Sequence, residues 1–335
     1  MNIWNRLSQQ AEQPYIIAEI AANHNGDMAL AERMIEQAKE AGCDCVKFQS
    51  WTKTSLMVKS SYDPELERTL DQYSMTEEKL RAMKRLCDHI GIDFACTPFS
   101  RSEVDLLVRI GVPFLKLSST EVTNLPLLQY AASTGLPLVL STGMGTEEEI
   151  REAVQVVEET GNTRVVLLHC VSVYPPKDEY VHLNNIDSLR ERFGYPTGFS
   201  DHTLGTAIPL AAVAKGACVI EKHFTLDQSL PGWDHKVSAT PEQMKEIVDG
   251  ARRIKAALGN YERQLSAEEQ DNRRIFRRSI VAARDIPAGK MIEADDLDAK
   301  RPGTGLSPSL MKHMIGKTAS RTIGCDELLS EKDFA

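Results

Sequence analysis

The chain has 335 residues, 42% of them hydrophobic and 26% charged, the balance of an ordinary soluble globular protein. No apolar run approaches the roughly 18 residues a membrane helix needs and no charged-then-apolar leader opens the chain, so no membrane partner and a cytoplasmic address are expected. A net charge of -9 argues against nucleic acid as a partner and leaves an anionic substrate only through a local basic cluster, while seven scattered cysteines, odd in number, read as reduced thiols.

Short β-rich runs alternate with helical patterns from the start. YIIAEI (15–20) predicts a strand and ALAERMIEQAKEAG (29–42) an amphipathic helix. CVKFQ (45–49), DFACTP (93–98), FLKLSS (114–119) and LVLSTG (138–143) follow as strands. TEEEIREAVQVVEETG (146–161) opens as a capped helix, with Thr146 at the N-cap, Glu149 three residues on and Gly161 beyond its end. VVLLHC (165–170), TGFSDH (197–202) and CVIEKHF (218–224) complete the strands. The helix TPEQMKEIVDGARRIKAALG (240–259) then starts at Thr240 with Pro241 in its first turn.

Near-continuous apolar strands alternating with helices indicate a parallel sheet covered on its outer face. Eight such units over residues 1–259 fit an α/β fold of the (βα)8 TIM-barrel type better than an open doubly wound sheet. No Gly-x-Gly-x-x-Gly turn follows the first strand, against a dinucleotide-binding fold. Residues 260–278, NYERQLSAEEQDNRRIFRR, are polar and charged and predict a linker that is partly helical. Residues 279–335 carry strand-like runs at SIVAARDI and KTASRTI with turns at PAG and RPGTG, the pattern of a small C-terminal domain.

Barrel chemistry sits at the C-terminal ends of the strands. Those ends carry Glu19, Lys47, Thr97, Lys116, Ser119, Glu121, Ser141, His169, Ser172, Ser200, His202, Glu221 and His223. Each alone has a structural reading, a hydrogen-bonded histidine or a lysine closing an ion pair. Their convergence on one rim points to function instead. Lys116 stands between Leu115 and Leu117, where an unpaired ammonium would be costly. With Lys47 and the hydroxyls of Thr97, Ser119, Ser141 and Ser200 it would form a compact site for a phosphate or carboxylate, and Lys116 is expected to face a substrate's charge. His202 and His223 end neighbouring strands and can share one divalent cation, with Glu19 or water completing a shell suited to Mn, Fe or Zn. Asp234, in PGWDHK, either binds a polyhydroxylated substrate or only makes a turn.

IIAEIAANHNGD, CVKFQ, CTPF, LSTGM, LLHC, FSDHTLG and IEKHFTLD, in this order, resemble the sialic acid synthase family. RSIVAARDIPAGKMIEADDLDAKRPGTGLSP is similar to the small antifreeze-like (SAF) domain of the same enzymes. The resemblance implies condensation of phosphoenolpyruvate with an N-acylated mannosamine-type hexose to a nine-carbon ulosonic acid, with release of phosphate. It also implies a divalent metal ion, Mn2+ first and Mg2+ or Co2+ otherwise. Matched motif by motif, Glu19 is the active-site carboxylate, and Lys47, Thr97, Lys116, Ser119 and Ser200 hold phosphoenolpyruvate. His202 and His223 are the metal ligands, and Glu121, Tyr174 and Asp234 lie near the sugar. Arg301 of KRPG matches the arginine that one subunit's SAF domain delivers to the other's barrel, which implies a domain-swapped homodimer.

Three positions depart from the family pattern. Ser172 stands where several bacterial relatives carry Asn at a phosphoenolpyruvate contact, Trp233 stands where Pro is frequent, and KLSSTE lacks the Gly often found at 118 or 120. The last two fall on the sugar side, so the acceptor stays open between N-acetylmannosamine and a 2,4-diacetamido-6-deoxy hexose. Two other readings share the residues: an aldolase using Lys116 or Lys47 as a Schiff-base nucleophile, and a non-catalytic carbohydrate-binding protein with the SAF domain as its recognition module.

Overall fold

Side chains alternate between the two faces of a strand, and this period of two organises the molecule. The computed structural model describes residues 2–61 and 63–335. It divides into two compact units, Met1–Gly259 and Asn260–Ala335. In the first, the strands are β1 (Tyr15–Glu19), β2 (Cys45–Gln49), β3 (Asp93–Thr97), β4 (Leu115–Leu117), β5 (Leu138–Ser141), β6 (Val165–Cys170), β7 (Thr197–Asp201) and β8 (Val219–His223). They pair in the order β3-β2-β1-β8-β7-β6-β5-β4, all parallel, and β3 lies beside β4 to close the ring. This is the (βα)8 barrel that the alternation of strands and helices predicts.

Two apolar clusters follow from the alternation. Ile16, Ala18, Val46 and Phe48 face outward and pack with the covering helices, among them residues Met34, Leu107 and Ile247. Tyr15, Ile17, Cys45, Ala95, Phe114, Val139 and Val219 face inward and fill the lower barrel. A short helix, Ile3–Leu7, closes that end: Leu7 is fully buried in the inner cluster, and Arg6 donates to Asp93 and Asp44. Two residues further along, the inward positions change character. Ile17 gives way to Glu19, Cys45 to Lys47, Ala95 to Thr97, Phe114 to Lys116, Val139 to Ser141 and Val219 to Glu221. The barrel is an apolar plug below and an ionisable layer above.

Helix termini match their caps. The helix Glu147–Glu158 has the expected capping box, with Thr146 accepting from the Glu149 amide and Glu149 from the Thr146 amide. Pro241–Leu258 is closed the same way by Thr240 and Gln243. Between β2 and β3 the chain adds Lys53–Leu56 and Pro64–Tyr73 before the covering helix Glu77–Ile90. These elements, outside the sequence reading, build a wall above the strand ends.

The second unit pairs β9 (Ser279–Ala282) antiparallel with β10 (Leu297–Lys300) over a small core of Ile280, Ile286, Ile292, Met314, Ile323 and Leu329. Asp296 is buried beneath it but accepts from Arg284, Lys290 and the Glu293 amide. Burial opposes its ionisation, yet these donors hold its pKa at about 2. The segment 260–278, expected as a linker, groups with this unit and contains the helix Ala267–Phe276. Ser266 caps it, acidic residues occupy its first turn and Arg273 and Arg274 its last, as the helix dipole favours. The Gly303 amide donates to the Arg274 carbonyl and ties it to the domain.

Gly198 marks the closest approach within the barrel wall. A Cβ there would stand 2.4 Å from the Val219 carbonyl oxygen and 2.6 Å from Leu168 Cδ2, and the backbone oxygen cannot step aside. Gly198→Ala is therefore expected to destabilise the fold by about 1–3 kcal/mol, seen as a lower denaturant midpoint at unchanged slope. An unaltered midpoint would show that β7 and β8 can part there freely.

Candidate active site

The ionisable layer is a cluster of two ammonium groups and two carboxylates. Lys47 pairs directly with Glu19 and donates to Thr97 Oγ1 at 3.0 Å. Glu221 lies between the lysines, 3.8 Å from Lys47 and 3.6 Å from Lys116. Lys116 donates to Ser141 Oγ at 2.7 Å and to the Leu117 carbonyl at 3.1 Å, and Ser200 donates to Glu221 at 3.0 Å. All four charged side chains are buried. Lys116, expected to face a substrate charge, thus has Glu221 as its counter-charge within the protein. The reason is register: Glu221 follows Val219 on the inward face of β8.

Burial and pairing set the proton affinities. Burial lifts Glu19 to about 7, against the pull of Lys47. It also lowers Lys116, an effect Glu221 offsets only in part. For Glu221, burial works against the charge but Lys116 and Lys47 together hold it below its ordinary value. Lys47, despite burial, is raised by Glu19 and Glu221. Glu19 is the member of the cluster closest to exchanging a proton near neutrality.

These groups line a cavity of about 270 Å³ at the C-terminal end of the barrel, together with Gln49, Ser119, Ser172, Tyr174, His202 and His223. A larger cleft of about 460 Å³ beside it shares Met144, Cys170 and Ser172 but holds neither the lysines nor the carboxylates. Chemistry, not size, singles out the smaller one. Along one side, Gly143 donates its amide to Ser119 Oγ at 3.0 Å. A Cβ at 143 would fall 2.4 Å from Ser172 Oγ and 2.8 Å from Ser119 Oγ, so its absence keeps the two hydroxyls beside bare backbone.

His202 and His223 stand with ring centroids 5.5 Å apart. His202 Nδ1 bonds the Val171 carbonyl at 2.8 Å, which leaves Nε2 for another partner. Burial, with help from His202, holds His223 well below its ordinary pKa, and its Nδ1 is buried without a hydrogen-bond partner among the described residues. Two such imidazoles suit a borderline divalent ion. Among the described residues no cluster of three or more His, Cys, Asp or Glu side chains forms a complete metal shell, so further ligands would come from substrate or water. Burial opposes protonation of His202, but the neighbouring Cys170 raises its pKa above the ordinary imidazole value. Tyr174 stacks on His202 at 3.9 Å and meets His223 edge-on at 5.7 Å.

Other expected residues sit differently. Glu121 is buried, and its carboxylate accepts from Asn124 at 2.6 Å and Thr120 at 3.0 Å, outside the lining of the cavity. Asp234 does not line it either, but its Oδ2 is 3.7 Å from His223 Nδ1. Arg301 belongs to the second unit, exposed, with its guanidinium 5.1 Å from the Phe276 ring centroid. His169 bonds the Val181 carbonyl and lies in the larger cleft, the structural role of a strand-end histidine.

Glu221 and Gln49 were not assigned roles from sequence, although alternation could have found both: Glu221 shares a face with His223, and Gln49 with Lys47. The same rule sends Asp201 and Lys222 outward. They form a fully buried ion pair at 2.5 Å, and Lys222 also donates to the Thr203 carbonyl while Asp201 accepts from the Thr203 amide. This closed ring braces the backbone on both sides of His202 and directly before His223.

Residues 34–263 match the NeuB family and residues 277–335 the SAF domain. An N,N'-diacetyllegionaminic acid synthase from Legionella pneumophila is 41% identical over 330 residues, 94% of this chain and 93% of that protein. One of the same name from Campylobacter jejuni is 41% identical over 329 residues, 94% of this chain and 98% of that protein. The crystal structure of an N-acetylneuraminic acid (sialic acid) synthetase from Leptospira borgpetersenii, in complex with citrate, aligns at 35% identity with a TM-score of 0.73, over 78% of this chain and 90% of that one. With the barrel and the C-terminal domain both matched in order, the chain belongs to the NeuB family of sialic acid synthases.

Proposed function

We propose that the protein joins phosphoenolpyruvate to a 2,4-diacetamido-6-deoxy hexose of the mannosamine type, giving a nine-carbon ulosonic acid and inorganic phosphate. The observation that supports the chemistry best is the convergence of Lys47, Lys116, Glu19 and the two imidazoles on one cavity. The choice of acceptor rests on the two relatives at 41% identity, both named for diacetyllegionaminic acid.

The lysines take the carboxylate and phosphate of phosphoenolpyruvate, assisted by the hydroxyls of Thr97, Ser119, Ser141, Ser172 and Ser200. Their share is orientation and charge neutralisation. C3 of the enol attacks the aldehyde carbon of the open-chain sugar, forming the carbon–carbon bond. Water then adds to C2 and gives one proton to Glu19, which passes it to the former aldehyde oxygen. The C2 oxygen closes to the ketone as the bond from C2 to the phosphate oxygen breaks, and its remaining proton leaves with the phosphate. A divalent ion, Mn2+ in the first place, held by His202 and His223, would polarise the aldehyde oxygen as a Lewis acid. Asp234 and Tyr174 flank the imidazoles on the side open to the sugar. A Schiff-base route would need a free amine, whereas Lys116 donates to Ser141 and Leu117 and faces Glu221 as an ammonium does.

His202→Ala and His223→Ala are each expected to lower bound metal and phosphate release together. Metal analysis beside a phosphate assay tests this, and full metal content at normal rate in either variant would overturn the assignment. Glu19 accepts a proton only when ionised, so kcat/KM should rise with pH through about 7, the value burial gives this carboxyl. Glu19→Gln should lower the rate by ~10²–10⁴-fold and remove that limb of the pH profile. A limb that persists in the variant belongs to another group.

The second unit is proposed to act across a two-fold dimer, with Arg301 reaching the partner's barrel. Arg301→Ala and His202→Ala, each inactive alone, should regain part of the activity when their subunits exchange. No regain, with a monomer in sedimentation, would rule the exchange out.

A further inference from the structure

Trp233 is half exposed, at 50%, yet it is held from two sides. Its ring stacks on Trp51 with centroids 6.4 Å apart and an interplanar angle of 29°, and Tyr73 meets it edge-on at 5.2 Å. Trp51 is itself buried, and its indole nitrogen donates to Gln49 at 3.1 Å, while Gln49 donates to Glu19 at 3.5 Å. On the other side, Trp233 directly precedes Asp234, whose carboxylate is 3.7 Å from His223. The aromatic group is therefore joined to the catalytic cluster by two short routes, through β2 and through the segment after β8.

The backbone that carries Trp233 is fixed as well. Asn25 donates to the Pro231 carbonyl at 2.8 Å, and Gln72 donates to the Asn25 carbonyl at 2.8 Å. Gly232 has φ +149, and a Cβ there would lie 2.7 Å from the His235 ring and 2.8 Å from Asn25 Oδ1. His235 is fully buried and shares a 2.7 Å hydrogen bond with Thr225. Segments following β1, β2 and β8 thus clasp one another beneath an indole whose other face is open. A large apolar ring left exposed usually rotates freely, and the interactions around this one fix it in advance of any ligand.

We propose that Trp233, backed by Trp51 and Tyr73, is the specificity platform for the apolar end of the acceptor sugar, its 6-methyl and 4-acetamido groups. This rests on the proposed acceptor and goes beyond it by assigning the discriminating residue. A methyl laid on an indole gains dispersion and loses water contact, whereas a hydroxyl in that place forfeits hydrogen bonds. Discrimination by an apolar surface of this kind is modest, roughly 10–200-fold per group.

The test compares wild type, Trp233→Ala and Trp233→Phe with saturating phosphoenolpyruvate and Mn2+, using a 2,4-diacetamido-6-deoxy hexose or N-acetylmannosamine as acceptor. In Trp233→Ala, kcat/KM for the diacetamido sugar should fall about 10-fold, chiefly through KM, with little change for N-acetylmannosamine. Trp233→Phe should recover most of the loss, and the KM for phosphoenolpyruvate should stay fixed in both variants. An unchanged ratio between the two sugars in Trp233→Ala overturns the platform, and a fall in its association state at unchanged ratio reassigns the ring to a subunit interface. Calorimetric titration of each sugar into the metal-loaded wild type separates the two readings. Binding of the diacetamido sugar without turnover would overturn the synthase reaction and leave the platform standing if Trp233→Ala abolishes it. Failure of wild type to bind either sugar would overturn both.

Discussion

Two ammonium groups lie buried in the top layer of the barrel, and the rest of the site is arranged around keeping them charged. Taking an isolated ion out of water costs several kcal/mol, and removing one partner of a buried pair typically costs ~3–5 kcal/mol. Glu19 and Glu221 meet that cost in the protein as it stands, with Thr97, Ser141 and Ser200 supplying the remaining hydrogen bonds. Two positive and two negative charges form a balanced set, so an incoming polyanion finds no surplus cation. It must either displace a carboxylate from a lysine or arrive with a proton for one. Glu19, lifted to about 7 by burial, is the member for which that exchange is least costly near neutral pH. In the proposed reaction, the group that handles a proton and the group that makes room for the substrate's charge are then the same.

Much of this was legible in the sequence, because a barrel strand has a simple rule. Tyr15, Ile17 and Glu19 show it in one strand: two apolar residues pointing in, then an acid at the open end. The strand runs, the capping boxes at Thr146 and Thr240, and the convergence of Lys47, Lys116, His202 and His223 all follow from periodicity and chain order. Pairings across the barrel do not. That Glu221 stands beside Lys116 depends on the diameter of the ring and the stagger of β8 against β4, and neither is written in a local window. Residues 260–278 show a second limit. Their polarity predicts a partly helical linker, and Ser266 with a favourable charge order orders the helix, but its grouping with the second unit through Gly303 is not written locally.

The outward partners of the catalytic residues carry a separate lesson. Asp201 and Lys222 are as buried as the lysines of the site, yet they sit on the opposite face of β7 and β8 and do not line its cavity. Composition alone would count them with the chemistry. The period of two assigns them to the wall, where their ring with Thr203 fixes the backbone that aims both imidazoles. Charge buried on the outer face here serves orientation, and in the proposed reaction charge buried inside serves the substrate.

The same division separates the strand-borne layer from the one carried by connections. The ionisable layer belongs to strands, whose geometry is set by the barrel and tolerates little change. The aromatic wall belongs to connections after β1, β2 and β8, where Asn25, Gln72, Gly232 and Trp233 hold each other rather than the sheet. Such a wall can be rebuilt with little disturbance of the lysine and carboxylate network, because among the described residues it meets that network through Gln49 and approaches His223 through Asp234. Selection for a new acceptor can therefore act on the connections while the condensation chemistry stays in place. The departure at Trp233 from the more frequent proline lies in that adjustable layer, and the buried lysines and carboxylates of the strands lie outside it.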